Sequence, residues 1–404
     1  MSTRACDADL SSAAVASTLW RRNRQTLVRD FRQARTDCRG MPTHMKIELT
    51  NFCNLACPMC PHPQMQRAVG TMRPALFRKI IDEAAPYLEF AYLHHLGESL
   101  VVRRIGELIA YGRSRGVAMG LSTNATFLDA DKSRALLENG LDFLVISLDA
   151  ASAATYQQVR VGGDFATTLA NTQQFFSLKR QIANHTTVVV QMIVMDSNRH
   201  EIEAFARTWE GHVMIKEVRD WAGQVPLRIG KNSTRIEHSS AEHTHVEHSQ
   251  VDGSRSKAAR SDPSRVDHSG VESSRVDQAS AEPARVGTSR VMSSALGQGL
   301  PPCRMPWSEI TVLWDGTVVP CANHFEKINV LGNLRTHSLA EVWNGAAMQS
   351  LRRAHLHNQV SSVPVCASCS RHALDADDFV AVDQLTQRLR SYVRSDLTPR
   401  PGLS

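Results

Sequence analysis

Three cysteines stand within eight positions of the stretch TNFCNLACPMCPH, Thr50 to His62: Cys53, Cys57 and Cys60, in the order C-x3-C-x2-C. Thiolates so close together suit a soft metal. Zinc usually takes four protein ligands, often as paired C-x2-C units, and this trio fits that habit poorly. A [4Fe–4S] cube gripped by three thiolates leaves one iron open to a small molecule, so the missing fourth ligand is itself the functional feature. A second set is complete: Cys303 and Cys321, with 17 residues between them, and the C-x2-C pair Cys366 and Cys369. Four thiolates close a site, and on spacing alone both a zinc ion held by all four and a second iron–sulfur cluster satisfy them. Cys6 and Cys38 lie outside both sets and read as incidental.

The trio follows directly after an apolar run, MKIELT (Met45–Thr50). Similar runs recur as FAYLHHL (Phe90–Leu96), VAMGLST (Val117–Thr123), FLVISLD (Phe143–Asp149), TVVVQMIVM (Thr187–Met195) and VMIKEV (Val213–Val218). Helical patterns fall between them near 75–86, 101–115, 129–139, 165–182 and 199–209. β-Branched runs bounded by Gly, Asn and Asp, each followed by a helix, predict a parallel sheet with right-handed crossovers. Six such units suit a partial (β/α)6 TIM-like barrel, whose reactive groups sit on the loops after the strands. Downstream, ITVLW and TVVPC flank Asp315-Gly316, a strong hairpin signal. A helix over Leu339–His355 follows, then VCASCSRH with the last two cysteines, and a loose helix near Asp377–Arg394.

Composition bounds the rest. The chain has 404 residues, 42% of them hydrophobic and 21% charged, with 46 basic against 40 acidic residues. This is an ordinary balance for a soluble enzyme of more than one domain. Lys and Arg form no dense stripe with interleaved aromatics, so no nucleic-acid partner is expected. No apolar run approaches the roughly 18 residues of a membrane span, and the N-terminus lacks a secretory pattern. The expected location is the cytoplasm, where nine cysteines imply metal or catalytic chemistry rather than disulfides. Ile236 to Val291 runs in fives (IEHSS, AEHTH, VEHSQ, then VDHSG, VESSR). One small aliphatic per five polar residues offers too little burial to offset ordering, so disorder is expected, and a pentapeptide solenoid lacks its central aliphatic. The expected organisation is a helical extension over 1–43 with a basic amphipathic helix at Trp20–Arg35, the barrel over 44–228, and the repeat insertion over 229–299. A small cysteine-rich α+β domain follows over 300–375, and a C-terminal helix and tail over 376–404.

The C-x3-C-x2-C loop after a first strand resembles that of the radical S-adenosylmethionine (SAM) superfamily. The likeness extends over the barrel and the later cysteine segment. It implies that the open iron of the [4Fe–4S] cluster chelates SAM, whose reductive cleavage yields a 5′-deoxyadenosyl radical. It further implies that Gly97 and Glu98 meet the SAM amino group, although Ser99 stands where a proline is common. By the same likeness Ser122, Asn124, Ser147 and Asp149 touch ribose or the methionine moiety, and Arg160 pairs with the SAM carboxylate. Met59 stands where an aromatic often packs on adenine. Asp149 and Asn124 have a simpler alternative as caps of the helices that follow them, and Arg160 as a surface residue.

Cys303, Gly316 and Cys321 as C-x12-G-x4-C, followed by Cys366 and Cys369, resemble the SPASM/Twitch extension and its auxiliary [4Fe–4S] cluster. The spacings look most like those of enzymes of the 2-deoxy-scyllo-inosamine dehydrogenase type. That implies a net oxidation of an alcohol or amine on a sugar or aminocyclitol-like molecule, with the auxiliary cluster accepting an electron and Lys216, Arg219 or Asp220 serving as the base. An external low-potential reductant such as flavodoxin or ferredoxin is expected. The alternative is a maturase that modifies ribosomal peptides, and a minor alternative is a non-catalytic iron–sulfur or zinc scaffold.

Overall fold

The computed structural model describes residues 19–218, 221–224 and 302–369. The pentad repeat, the expected C-terminal helix, Cys6, Arg219 and Asp220 lie outside the described residues.

The N-terminal helix α1, over 19–32, buries Leu27 and Phe31 on one face. Its basic residues stay toward solvent, as its amphipathic pattern predicts. Six strands then run parallel in chain order: β1 (His44–Ile47), β2 (Phe90–Tyr92), β3 (Ala118–Thr123), β4 (Phe143–Ser147), β5 (Thr187–Val194) and β6 (Val213–Glu217). Helices α2 (Pro74–Ala84), α3 (Ile105–Ser114), α4 (Ala130–Glu138), α6 (Phe165–Ile182) and α7 (Ile202–Thr208) fill the connections between successive strands. Between α4 and α6 lies a short additional helix, α5 (Ala153–Val159), which the sequence pattern did not reveal. Each strand lies where an apolar run predicted it, though most end before the run does. The causes are local. After β1 the chain turns at once into the cysteine loop, and after β2 it turns toward Gly97. Helix packing follows the 3.6 period: α2 buries Phe77, Ile80, Ile81 and Ala84, one face spaced i, i+3, i+4, i+7.

The C-terminal segment joins the same sheet. β7 (Glu309–Val312) pairs parallel with β1, from His44 against Glu309 to Ile47 against Val312. β8 (Thr317–Val319) and β9 (Gly332–Asn333) continue antiparallel, giving nine strands in the order β6-β5-β4-β3-β2-β1-β7-β8-β9. Strand β1, which delivers the cysteine loop, therefore has neighbours on both edges. The Asp315-Gly316 hairpin forms, but through a four-residue turn: Leu313 N–H donates to Thr317 O at 2.8 Å, and Gly316 N–H to Leu313 O at 2.9 Å.

The single helix expected over Leu339–His355 is two, α8 (Leu339–Trp343) and α9 (Ala346–Leu356). The break lies at Asn344-Gly345. A Cβ on Gly345 would stand 2.7 Å from Glu341 O, so only glycine lets the chain double back there. A last short helix, α10 (Pro364–Ala367), carries Cys366. Arg352 on α9 binds this segment to the N-terminal region. It is fully buried, lies over the Trp343 ring at 4.5 Å, and donates to Pro306 O at 2.9 Å and Thr36 O at 2.8 Å.

Candidate radical SAM site

A cavity of about 1340 Å³ fills the interior of the strand array. Cys53, Cys57 and Cys60 line it together with Met59, Gly97, Glu98, Ser122, Asn124, Ser147, Arg160 and Lys216. Residues drawn from loops and strands more than 150 positions apart thus share one chamber. Of the expected site residues around the first cysteine set, among the described ones, only Asp149 is not on its wall, and it stands directly behind as the partner of Arg160.

The cysteine loop is pressed into shape from two sides. Gly97 has φ +84°, and a Cβ there would meet Thr50 O at 2.6 Å and Phe52 O at 2.8 Å. Glycine at this point lets the β2 loop lie against the backbone of the cysteine loop, where Glu98 N–H donates to Phe52 O at 2.7 Å. From the other side Ala56 N–H donates to Val161 O at 2.9 Å, just after Arg160.

Glu98 is committed within the fold. Its carboxylate accepts from Leu100 N–H at 3.0 Å, Thr123 Oγ1 at 2.8 Å and Asn124 N–H at 2.7 Å, so it ties the end of β3 to the β2 loop. Burial raises its pKa above the usual carboxylate range, and these hydrogen bonds oppose the rise. Neither Asn124 nor Asp149 caps a helix. α4 is capped by Asp129 and α5 by Ser152, while Asn124 donates to Asn54 Oδ1 at 3.0 Å, inside the cysteine loop. Asp149 adopts φ +63° and pairs with Arg160 at 2.5 Å. Arg160 is a buried residue, not a surface one, and its Nη1 donates to Cys57 Sγ at 3.6 Å.

A polar girdle crosses four strands of the cavity wall. Tyr92 bonds to Ser122, Ser122 Oγ lies 3.2 Å from Ser147 Oγ, and Gln191 Nε2 donates to Ser147 Oγ at 3.3 Å. Tyr92, His94, Gln191 and Trp221 all line the cavity, and none was singled out from sequence. A signal for two of them existed: Phe90, Tyr92 and His94 alternate, as residues on one face of a strand do. His94 Nδ1 is buried without a hydrogen-bond partner, and its ring meets Tyr92 edge-on at 5.9 Å. Trp221 donates from Nε1 to Met59 O at 3.2 Å, which puts an indole on the cavity lining beside Met59.

The thiols suit cluster ligation. Burial pushes Cys53 up to about 11 and Cys60 up to about 12, while Leu55 N–H faces the first sulfur and His62 N–H the second. Such sulfurs ionise when a metal takes the place of the proton. Among the described residues no three His, Cys, Asp or Glu side chains converge on a position for one ion. In the second set Cys366 feels the charge of Cys321, Cys303 and Cys369, and burial pushes Cys321 up to about 12. Asn323 Nδ2 donates to Cys369 Sγ at 3.5 Å, and the buried His324 brings Nε2 within 3.8 Å of Cys366 Sγ.

Comparison with known proteins agrees with this geometry. Residues 47–208 match the model of the radical SAM superfamily, and residues 303–370 match SPASM, an iron-sulfur cluster-binding domain. The chain is similar to a tungsten-containing aldehyde ferredoxin oxidoreductase cofactor-modifying protein of Pyrococcus furiosus, 29% identical over 41% of this chain and 47% of that one. It is also similar to a PqqA peptide cyclase of Methylocella silvestris, 32% identical over 29% of this chain and 32% of that one. The matched stretches thus span less than half the length of these curated relatives. In fold it resembles Streptococcus suis SuiB bound to precursor peptide SuiA, with a TM-score of 0.54, 11% identity, and coverage of 81% of this chain and 71% of that one.

The chain belongs to the radical SAM superfamily and carries a SPASM-type auxiliary segment. Its cofactors are accordingly a [4Fe–4S] cluster with SAM and an auxiliary iron–sulfur cluster. Among the described residues no helix is long and apolar enough to cross a membrane.

Proposed function

We propose that this protein is a radical SAM enzyme that modifies a peptide within the strand-lined cavity. One observation carries the reading: at about 1340 Å³ the chamber exceeds the roughly 300–1,000 Å³ typical of small-ligand sites, which leaves room for a chain segment beside SAM. Relatives named as peptide cyclases, and a fold neighbour holding a precursor peptide, support the same substrate class. When bound, the cluster and SAM supply a 5′-deoxyadenosyl radical that removes a hydrogen atom from the substrate.

The chain's own residues have separate tasks in this reading. Cys53, Cys57 and Cys60 hold the SAM-binding cluster. Gly97, Glu98 and Asn124 shape the wall beside it, and Ser122 and Ser147 present hydroxyls to SAM. Met59, backed by Trp221, offers an apolar surface to adenine. Lys216, on the cavity wall, is the described candidate to take a proton from substrate. Cys303, Cys321, Cys366 and Cys369 hold the auxiliary cluster. Four thiols on that site leave no vacant position for substrate, and this favours a second reading, oxidation of an alcohol or amine with the electron passing to that site.

A deuterium-transfer measurement separates the readings. The reconstituted chain is given SAM, dithionite and either a perdeuterated tryptic digest or deuterated aminocyclitols. Deuterium entering 5′-deoxyadenosine from the digest is the expected result. Transfer only from aminocyclitols would replace the peptide reading with the oxidation one. Absence of SAM cleavage would sink both.

A further inference from the structure

Both arms of the Arg160 guanidinium are occupied. Nη1 donates to Cys57 Sγ at 3.6 Å, and Nη2 pairs with Asp149 Oδ2 at 2.5 Å. Arg160 is 8% exposed and Asp149 fully buried, so water screens the pair only weakly. Asp149 is itself fixed. Its Oδ1 accepts from Ile193 N–H at 2.7 Å and its carbonyl from Asn198 Nδ2 at 2.9 Å, which sustains the left-handed backbone at φ +63°.

We infer that the Asp149–Arg160 pair sets the reduction potential of the cluster held by Cys53, Cys57 and Cys60. The inference rests on the assignment of those three thiols made above. Hydrogen bonds to cluster sulfurs and nearby net charge are principal determinants of such potentials. Reduction adds negative charge, so a guanidinium against the Cys57 thiolate favours the reduced state and raises the potential. Asp149, behind it, cancels part of that charge and restrains the rise.

The two members of the pair therefore have opposite effects, which a merely structural brace would not. The test is a redox titration followed by EPR on the full chain, reconstituted with iron and sulfide, without SAM and without peptide. The three-thiol cluster is singled out as the signal that changes when SAM is added to a parallel sample. Arg160→Gln is expected to lower the midpoint and Asp149→Asn to raise it, with Arg160→Lys between wild type and Arg160→Gln. Unchanged midpoints, or shifts of one sign in both, would overturn the inference. Should Arg160→Gln fail to retain iron, Asp149→Asn decides alone, and a midpoint at or below wild type counts against it. The outcome does not depend on the substrate being a peptide. A wild-type protein with no SAM-sensitive signal would remove the cysteine assignment and this inference together.

Discussion

At the scale of single residues, the cavity wall holds groups whose ordinary chemistry is suppressed. His44 and His94 are both pushed down to about 4, chiefly by burial. In the unfolded chain they would titrate near 6.5, so between about pH 6.5 and 4 the unfolded state takes up a proton that the folded state refuses. Stability therefore falls as pH falls through that window, by up to about 1.4 kcal/mol per pH unit for each histidine. Urea unfolding at about pH 7, 6 and 5 should show this slope, and His44→Gln and His94→Gln should each flatten it. The cysteines were legible in sequence because their spacing marks them, whereas Gly97-Glu98 was picked out only through the family resemblance. His94 and Tyr92 were not, because a histidine or tyrosine in a strand announces a cavity only once the opposing strands are known. Arg160 was legible as a residue but not in its contacts, since its partners come from two other loops.

At the scale of elements, the loop after β1 is held by a buried ion pair. Arg67 donates both arms of its fork to Glu48, with the Nη1–Oε2 bond at 2.7 Å, and Glu48 Oε2 also accepts from Trp314 N–H at 3.2 Å. One carboxylate thus ties the first strand's exit, the returning cysteine loop and the C-terminal hairpin together. Arg67→Met would strand a buried charge, and a loss of about 3–5 kcal/mol is expected by denaturant titration. Glu48→Leu with Arg67→Met should recover much of it, because paired removal leaves no orphaned ion. A loss in the double variant equal to that in the single would show that the pair contributes more than mutual neutralisation. Strand positions were readable throughout the barrel, since β-branched runs have few other uses. Helix breaks were less so: Asn344-Gly345 interrupts a continuous amphipathic pattern, and only the clash at Glu341 O shows why.

For the whole molecule, the two cysteine sets share one sheet through the β1–β7 pairing. Nothing in the pentad composition offers a face that could add to that sheet, so a chain lacking residues 231–297 should keep both clusters. About eight irons per chain are expected before and after the deletion, falling to about four in Cys53→Ala/Cys57→Ala/Cys60→Ala. Loss of iron on deletion would make the repeat part of the folded unit.

The same pairing bears on how the chain is made. The β7 partner of β1, Glu309 against His44, leaves the ribosome about 265 residues after it. At 5–20 residues per second that is a delay of roughly 13–50 s. Throughout it one edge of β1 stands open beside unmetallated cysteines, and an open strand edge invites pairing with another chain. Fewer chains in synthesis at once, with iron and sulfide supplied while they are made, should therefore raise the yield of intact protein.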